Sequence, residues 1–173
     1  MDLTEDFILL KPKDLREFVQ HRKVLESFSA TPEGLTFYLG GVVHFEKPEA
    51  QDEAFNQIKT FVLVNFHRIP CEIYPMIQTS LFKDILETTR FQEDPGFRKS
   101  IHFLQAISMS NLYPEHWPSF WTDLWEMPSD IVTGFLSEFG EIMDQTRVSL
   151  TNSERVLDAM LKDNSLTILR KQF

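Results

Sequence analysis

Apolar residues recur along this chain at steps of three and four. No run alternates with the period of two that a half-buried strand needs, so the pattern predicts an all-helical protein. A first helix is expected from about Lys13 to Phe28, with Leu15, Phe18, Val19, Leu25 and Phe28 turned inward. Ser29-Ala30-Thr31-Pro32 stops it and starts the next, with Thr31 as N-cap and Pro32 at the first helical position. The second helix runs to about Val43 and carries Leu35, Phe37, Leu39 and Val42, while Gly40 and Gly41 weaken its end. Pro48 and Glu49 open a third, with Phe55, Ile58, Phe61, Val62 and Val64 as its apolar set.

Pro70 and Pro75 punctuate a connector before a fourth helix that is expected to reach about Thr89. There Ile73, Ile77, Leu81 and Ile85 fall at i, i+4 steps beside Phe82 and Leu86, leaving Gln78, Lys83, Asp84 and Glu87 for the other face. Asp94-Pro95 repeats the cap-plus-proline signature and opens a fifth helix with Phe97, Ile101, Leu104 and Ile107, which Tyr113-Pro114 ends. A short sixth helix is expected over Pro118 to Met127. Pro128-Ser129-Asp130 then starts a seventh with Ile131, Val132, Phe135, Leu136, Phe139, Ile142 and Met143 on its apolar face. A weaker final helix begins near Ser153, after Thr151-Asn152, and its stripe of Val156, Leu157, Met160 and Leu161 fades into Asn164-Ser165.

The helices come in pairs of roughly 35 to 45 residues, the spacing of HEAT or armadillo-type units. The expected fold is therefore all-α: a HEAT-type α-solenoid of about four stacked antiparallel helix pairs, filling residues 1–173 as a single domain. Stacked pairs need polar caps, which the acidic start Met1 to Asp6 supplies at one end. Ile168, Leu169 and Phe173 close the chain with no obvious capping helix, so it reads as a truncated solenoid or as a reduced protein that borrows a partner.

Charge and chemistry narrow the picture. The 173 residues hold 17 basic and 26 acidic side chains, a net charge of −9, whereas a free-standing nucleic-acid binder needs clustered Lys and Arg to neutralise phosphate. The single cysteine, Cys71, excludes an intrachain disulfide and reads as a packed thiol in a reducing compartment. No apolar run approaches the length of a membrane span and the first residues are acidic, so neither membrane insertion nor a basic targeting leader is expected. No phosphate-loop, dinucleotide-binding, zinc-protease or nucleophile-elbow motif occurs, and only six glycines are present. His21, His44, His67, His102 and His116 have no metal-ligand spacing and read as surface or boundary histidines. Glu5-Asp6 and Glu93-Asp94 read as helix-start charges or solvated loops in preference to acid/base dyads. The expectation is a binding scaffold with no catalytic residues, no cofactor and no metal.

The most unusual stretch is the aromatic block from Tyr113 to Trp125. Trp117, Phe120, Trp121 and Leu124 lie at three-to-four spacing on one helix face and read as core. Trp125, displaced by about 100°, is the one placed to face a partner. The order Tyr113-Pro114, Trp117-Pro118, Phe120 resembles a segment in the N-terminal region of importin-β-like nuclear export receptors, where it closes one helix and opens the next. Three flanking segments resemble the tRNA exportins in particular. Phe28 to Leu35 is similar to their first interhelical turn, in which a Ser-Pro-acid sequence precedes a helix. Phe135 to Asp144 is similar to a later helix of the family. Thr151 to Arg155, followed by Leu161-Lys162-Asp163, stands where the family has a Thr-rich helix start and a Lys-Asp pair.

What the resemblance implies is an N-terminal fragment or reduced form of a Ran-GTP-dependent export receptor for tRNA, shuttling between nucleus and cytoplasm. The family binds GTP-loaded Ran through its N-terminal repeats and encloses tRNA in a much longer solenoid. The implied partners are therefore GTP-loaded Ran, nuclear pore proteins, and tRNA only as part of a longer receptor or with a partner chain. If the second helix of each repeat lines the inside, Glu33, Thr36, Gln78, Lys83, Asp84, Glu87 and Asp123 are the Ran-contacting candidates; the plainer reading makes each a solvated helix face. Two other classes compete: a helical-repeat adaptor in a larger complex that binds neither Ran nor tRNA, and an enzyme with an unfamiliar site.

Overall fold

The computed structural model describes residues 5–9, 15–144 and 150–162, and every regular element among them is a helix. They fall into two compact units, Met1–Asp94 and Pro95–Phe173, a division that the uniform helical pattern does not announce. The first unit holds α1 (Glu5–Ile8), α2 (Leu15–Ser29), α3 (Pro32–His44), α4 (Pro48–Asn65), α5 (Tyr74–Phe82) and α6 (Thr89–Glu93). The second holds α7 (Pro95–Leu112), α8 (Phe120–Trp125), α9 (Ser129–Asp144) and α10 (Leu150–Lys162).

The turn between α2 and α3 forms as its residues predict. Thr31 is extended, and its Oγ1 accepts the Gly34 N–H at 3.0 Å, with Pro32 opening the helix. α3 is the central helix of this unit and packs on α2, α4 and α5. Leu35, Tyr38, Leu39 and Val42 are buried there, and the Tyr38 hydroxyl donates to the Leu25 carbonyl at 3.4 Å. Burial, with Glu53 nearby, pushes that hydroxyl well above the usual tyrosine range. Gly40 and Gly41 do not end the helix, which continues to His44. Gly41 is where the Phe45 ring lies against the backbone, in the space a Cβ would take.

α1 is held at the start of α4 by its carboxylates. Glu5 accepts the backbone N–H groups of Glu46 and Lys47 at 2.9 and 3.1 Å, and Lys47 donates to Asp6 at 2.6 Å. These N–H groups lie at and just before the N-cap Lys47, so the acidic segment places its carboxylates at the positive end of α4. α6 ties to the same end of α4 through Arg90. It donates to the Pro48 carbonyl at 2.9 Å, to Gln51 at 3.0 Å and to Asp52 at 2.7 Å, with Asp94 at 3.7 Å. Alanine at Arg90 is expected to lower stability by about 2 kcal/mol, the scale of charge-assisted hydrogen bonds on a mostly buried cation. In urea melts, Lys162→Ala, which among the described residues loses an exposed i, i+4 pair with Asp158, should change stability by about 0.5 kcal/mol or less.

Several expectations are corrected. Val19 is exposed, because it lies about 240° round α2 from the buried Leu25. Val64 is exposed too, since Phe66 in the following 3-10 turn takes the inward position. The fourth helix does not reach Thr89. α5 stops at Phe82, Lys83 adopts φ −135° and ψ −69°, and Asp84–Glu87 forms a 3-10 turn. Thr88 offers an alternative to another α-turn: its hydroxyl donates to the Ile85 carbonyl at 2.8 Å and accepts from Phe91 N at 3.3 Å, which starts α6. Ile73, Ile77, Leu81 and Ile85 are nonetheless all buried, so the apolar stripe survives the break. Cys71 is exposed in a 3-10 turn, not packed.

In the second unit α7 packs on α9 and α10, and α8 packs on α9. The Tyr113–Pro114 peptide is cis. Trp117 is 9% exposed, and its ring meets Phe120 edge-on at 5.0 Å. Phe120 then contacts Trp121 and Phe135, and Trp121 contacts Phe139. The sixth helix is shorter than Pro118 to Met127, and the last begins at Leu150, before Ser153. Val156 and Met160 of α10 are buried, but Leu157 and Leu161 are exposed, each turned about 100° from that pair. Arg155 fastens α10 by donating to the Ser110 carbonyl at 2.6 Å and pairing with Glu115. Met1 to Thr4, the side chains of Leu15, Phe18 and Thr151 to Ser153, and Asp163 to Phe173 with its Ile168 and Leu169 lie outside the described residues.

Candidate functional site

Six of the seven predicted contact residues fall in the first unit, on elements that pack against one another: α3, α5 and the 84–87 turn. Glu33 and Thr36 are exposed and three residues apart on α3, opposite its buried stripe. Gln78 is half-buried on α5, Lys83 is exposed at the helix break, Asp84 is half-buried and Glu87 exposed. Asp84 and Glu87 do not share a polar face of an α-helix, because that helix has ended. They stand at i and i+3 of a 3-10 turn, a geometry that eclipses side chains on successive turns and so puts the two carboxylates on one side.

The seventh, Asp123, is in the second unit and has an internal role. It accepts Trp117 Nε1 at 2.7 Å and Ser119 Oγ at 2.8 Å, so it satisfies a mostly buried indole N–H. Trp125 is half-buried. Its Nε1 is enclosed and has no hydrogen-bond partner among the described residues, so that edge of the ring is turned inward and not presented to a partner.

A second polar feature was not predicted. Between α7 and α9 lies a cleft of about 620 Å³ lined by Arg98, Lys99 and His102 on one helix and Asp130, Gly134 and Glu138 on the other. His102 is 3% exposed, against the expectation of a surface or boundary histidine, and its Nδ1 lies 2.8 Å from Gln105 Oε1. Burial is the first cause that holds this imidazole below the ordinary histidine value. Gln105 opposes it, Arg98 adds to it, and Asp130 opposes it. Glu138 is buried and pairs with Lys99 at 3.6 Å. The signal in the sequence is the i, i+4 spacing of Arg98 with His102 and of Asp130 with Gly134 and Glu138, which builds two facing stripes. Neither stripe reveals that the other faces it.

Among the described residues no three His, Cys, Asp or Glu side chains are grouped to hold a metal ion, and no helix is long and apolar enough to cross a membrane. No family model, no curated protein and no solved structure matches the chain.

Proposed function

We propose that this chain is a helical-repeat binding scaffold of the nuclear export receptor kind, and that it contacts GTP-loaded Ran through α3, α5 and the 84–87 turn. In this reading its helices continue as a HEAT-type α-solenoid of about four stacked antiparallel pairs, and the protein shuttles between nucleus and cytoplasm. The observation that carries it is the block from Tyr113 to Phe120. It lies between the end of α7 at Leu112 and the start of α8 at Phe120, the closing-and-opening arrangement that its resemblance to the exportin segment implies. The grouping of Glu33, Asp84 and Glu87 on mutually packed elements supports an acidic contact for basic surfaces of a GTPase. A net charge of −9 disfavours unaided binding of tRNA, whose affinity comes largely from phosphate neutralisation. Cargo therefore requires a longer receptor or a partner chain, and contacts with nuclear pore proteins belong to that assembly.

The test is a titration at about 150 mM salt, where the charge-driven part of binding is already strongly screened. The chain is expected to bind GTP-loaded Ran weakly, GDP-loaded Ran not measurably, and tRNA alone not measurably. Weakness follows because distant contacts along a longer solenoid are missing. Asp84→Lys combined with Glu87→Lys should weaken binding by at least about tenfold, since like charges brought together at an interface cost several kcal/mol. The circular dichroism of that variant should be unchanged. Equal affinity for the two nucleotide states, or tight tRNA binding without Ran, defeats the reading and favours a helical adaptor.

A further inference from the structure

The cleft between α7 and α9 carries an inference that does not depend on which partner the chain binds. His102 reaches from α7 to the backbone of α9. A Cβ added at Gly134 would stand 2.4 Å from His102 Nε2 and 2.7 Å from Cδ2, so the ring fills the space a side chain at 134 would take. With Gln105 Oε1 as acceptor, the neutral ring carries its proton on Nδ1 and turns Nε2 toward Gly134. We propose that His102 is a pH-sensitive latch: neutral, it lets α9 close on α7 at Gly134, and protonated, it drives the two helices apart there and exposes the ring to water.

The cause is the burial of charge. An imidazolium 3% exposed between two packed helices loses most of its hydration, and parting the helices at Gly134 returns it. The other charged groups do not cancel this. From α7, Arg98 repels the cation, and Lys99 is engaged with Glu138 of α9 at 3.6 Å. From α9, Asp130 attracts the cation but is itself exposed at the helix start. From α10, which also packs on α7, Arg155 binds Ser110 and Glu115; Ser110 lies eight residues, about 12 Å, beyond His102 along the helix.

The direction in pH follows from the lowered value in the closed state. In the open state the ring is hydrated and titrates near the ordinary value of about 6.5, so the open state binds the proton more readily. The closed state is therefore fully favoured above about pH 6.5 and loses ground as pH falls below it. The limit for one proton is about tenfold in the opening equilibrium per pH unit, reached between about 6.5 and the closed-state value.

The experiment is NMR on the full chain from about pH 8 to pH 5, a range that brackets the ordinary histidine titration. It follows the ring resonances of His102 and the hydrogen exchange of α9 amides, corrected for intrinsic exchange. His102 should titrate below the ordinary histidine value. Protection of α9 should fall below about pH 6.5, by up to tenfold per unit, while α3 and α4 keep theirs. His102→Gln, which cannot titrate, should remove the step. Asp130→Asn, at an exposed position, should lower the pH at which His102 titrates by removing a group that favours the cation, and so extend the fall in protection to lower pH from the same onset. A His102 that titrates at or above the ordinary histidine value of about 6.5 overturns the proposal. So does a step that persists in folded His102→Gln, or a His102 titration that does not fall in Asp130→Asn.

Discussion

Replacing Trp117 by alanine lowers stability by roughly 3 to 5 kcal/mol, the range for truncating a large buried aromatic. The indole is 9% exposed, stands edge-on to Phe120 at 5.0 Å, and donates Nε1 to Asp123 at 2.7 Å. Phe120 in turn joins Trp121 and Phe135, so the cavity opens at the edge of a connected aromatic cluster that cannot collapse one ring at a time. Two losses contribute. Trp117→Phe keeps much of the aromatic contact but leaves Asp123 with Ser119, and should account for about 1.5 to 3 kcal/mol, the scale of a hydrogen bond to a charged acceptor. Denaturant melts decide this, and a loss under about 1 kcal/mol for Trp117→Ala shows that the ring is not core.

Alanine at Gly34 is expected to destabilise the first unit by about 3 kcal/mol, the upper end of overpacking penalties. A Cβ there would stand 1.8 Å from the Phe28 carbonyl oxygen and 2.5 Å from its carbon. These atoms are backbone in the last turn of α2, so no side-chain rotation relieves the clash, and the α2–α3 turn must open. Gly40, in the same helix, has nothing within 4 Å of an added Cβ. Gly40→Ala should therefore stabilise by up to about 1 kcal/mol from helix propensity alone. Thermal or urea melts of the two variants should move in opposite directions. If both are neutral, the close approach at Gly34 does not hold in solution.

The same contrast runs through the function. Glu33 and Glu87 are exposed, as acids opposite an apolar stripe are expected to be, and they lie on elements that pack together. Asp123 has the same sequence credentials, yet its carboxylate is engaged by Trp117 and Ser119. Spacing along one helix shows which face a residue shares. It does not show what another segment brings to that face.

By itself the sequence determined what local physics controls. The period of the apolar residues dictated an all-helical chain. Thr31-Pro32 dictated a capped helix start, because cap and proline act within one turn; Pro114 and Pro118 marked a break between two helices, although α8 starts at Phe120 without a side-chain cap. The inward stripe Ile73, Ile77, Leu81 and Ile85 was determined as well, since burial follows period even where the helix is broken. Only the tertiary structure decided which carboxylate stands at the positive end of a distant helix, as Glu5 does for α4, and which histidine is buried. It alone decided which glycines are required by close approach: Gly34 against Phe28, Gly134 against His102. These depend on two segments meeting at ångström distances, and no periodicity along one segment encodes the position of the other.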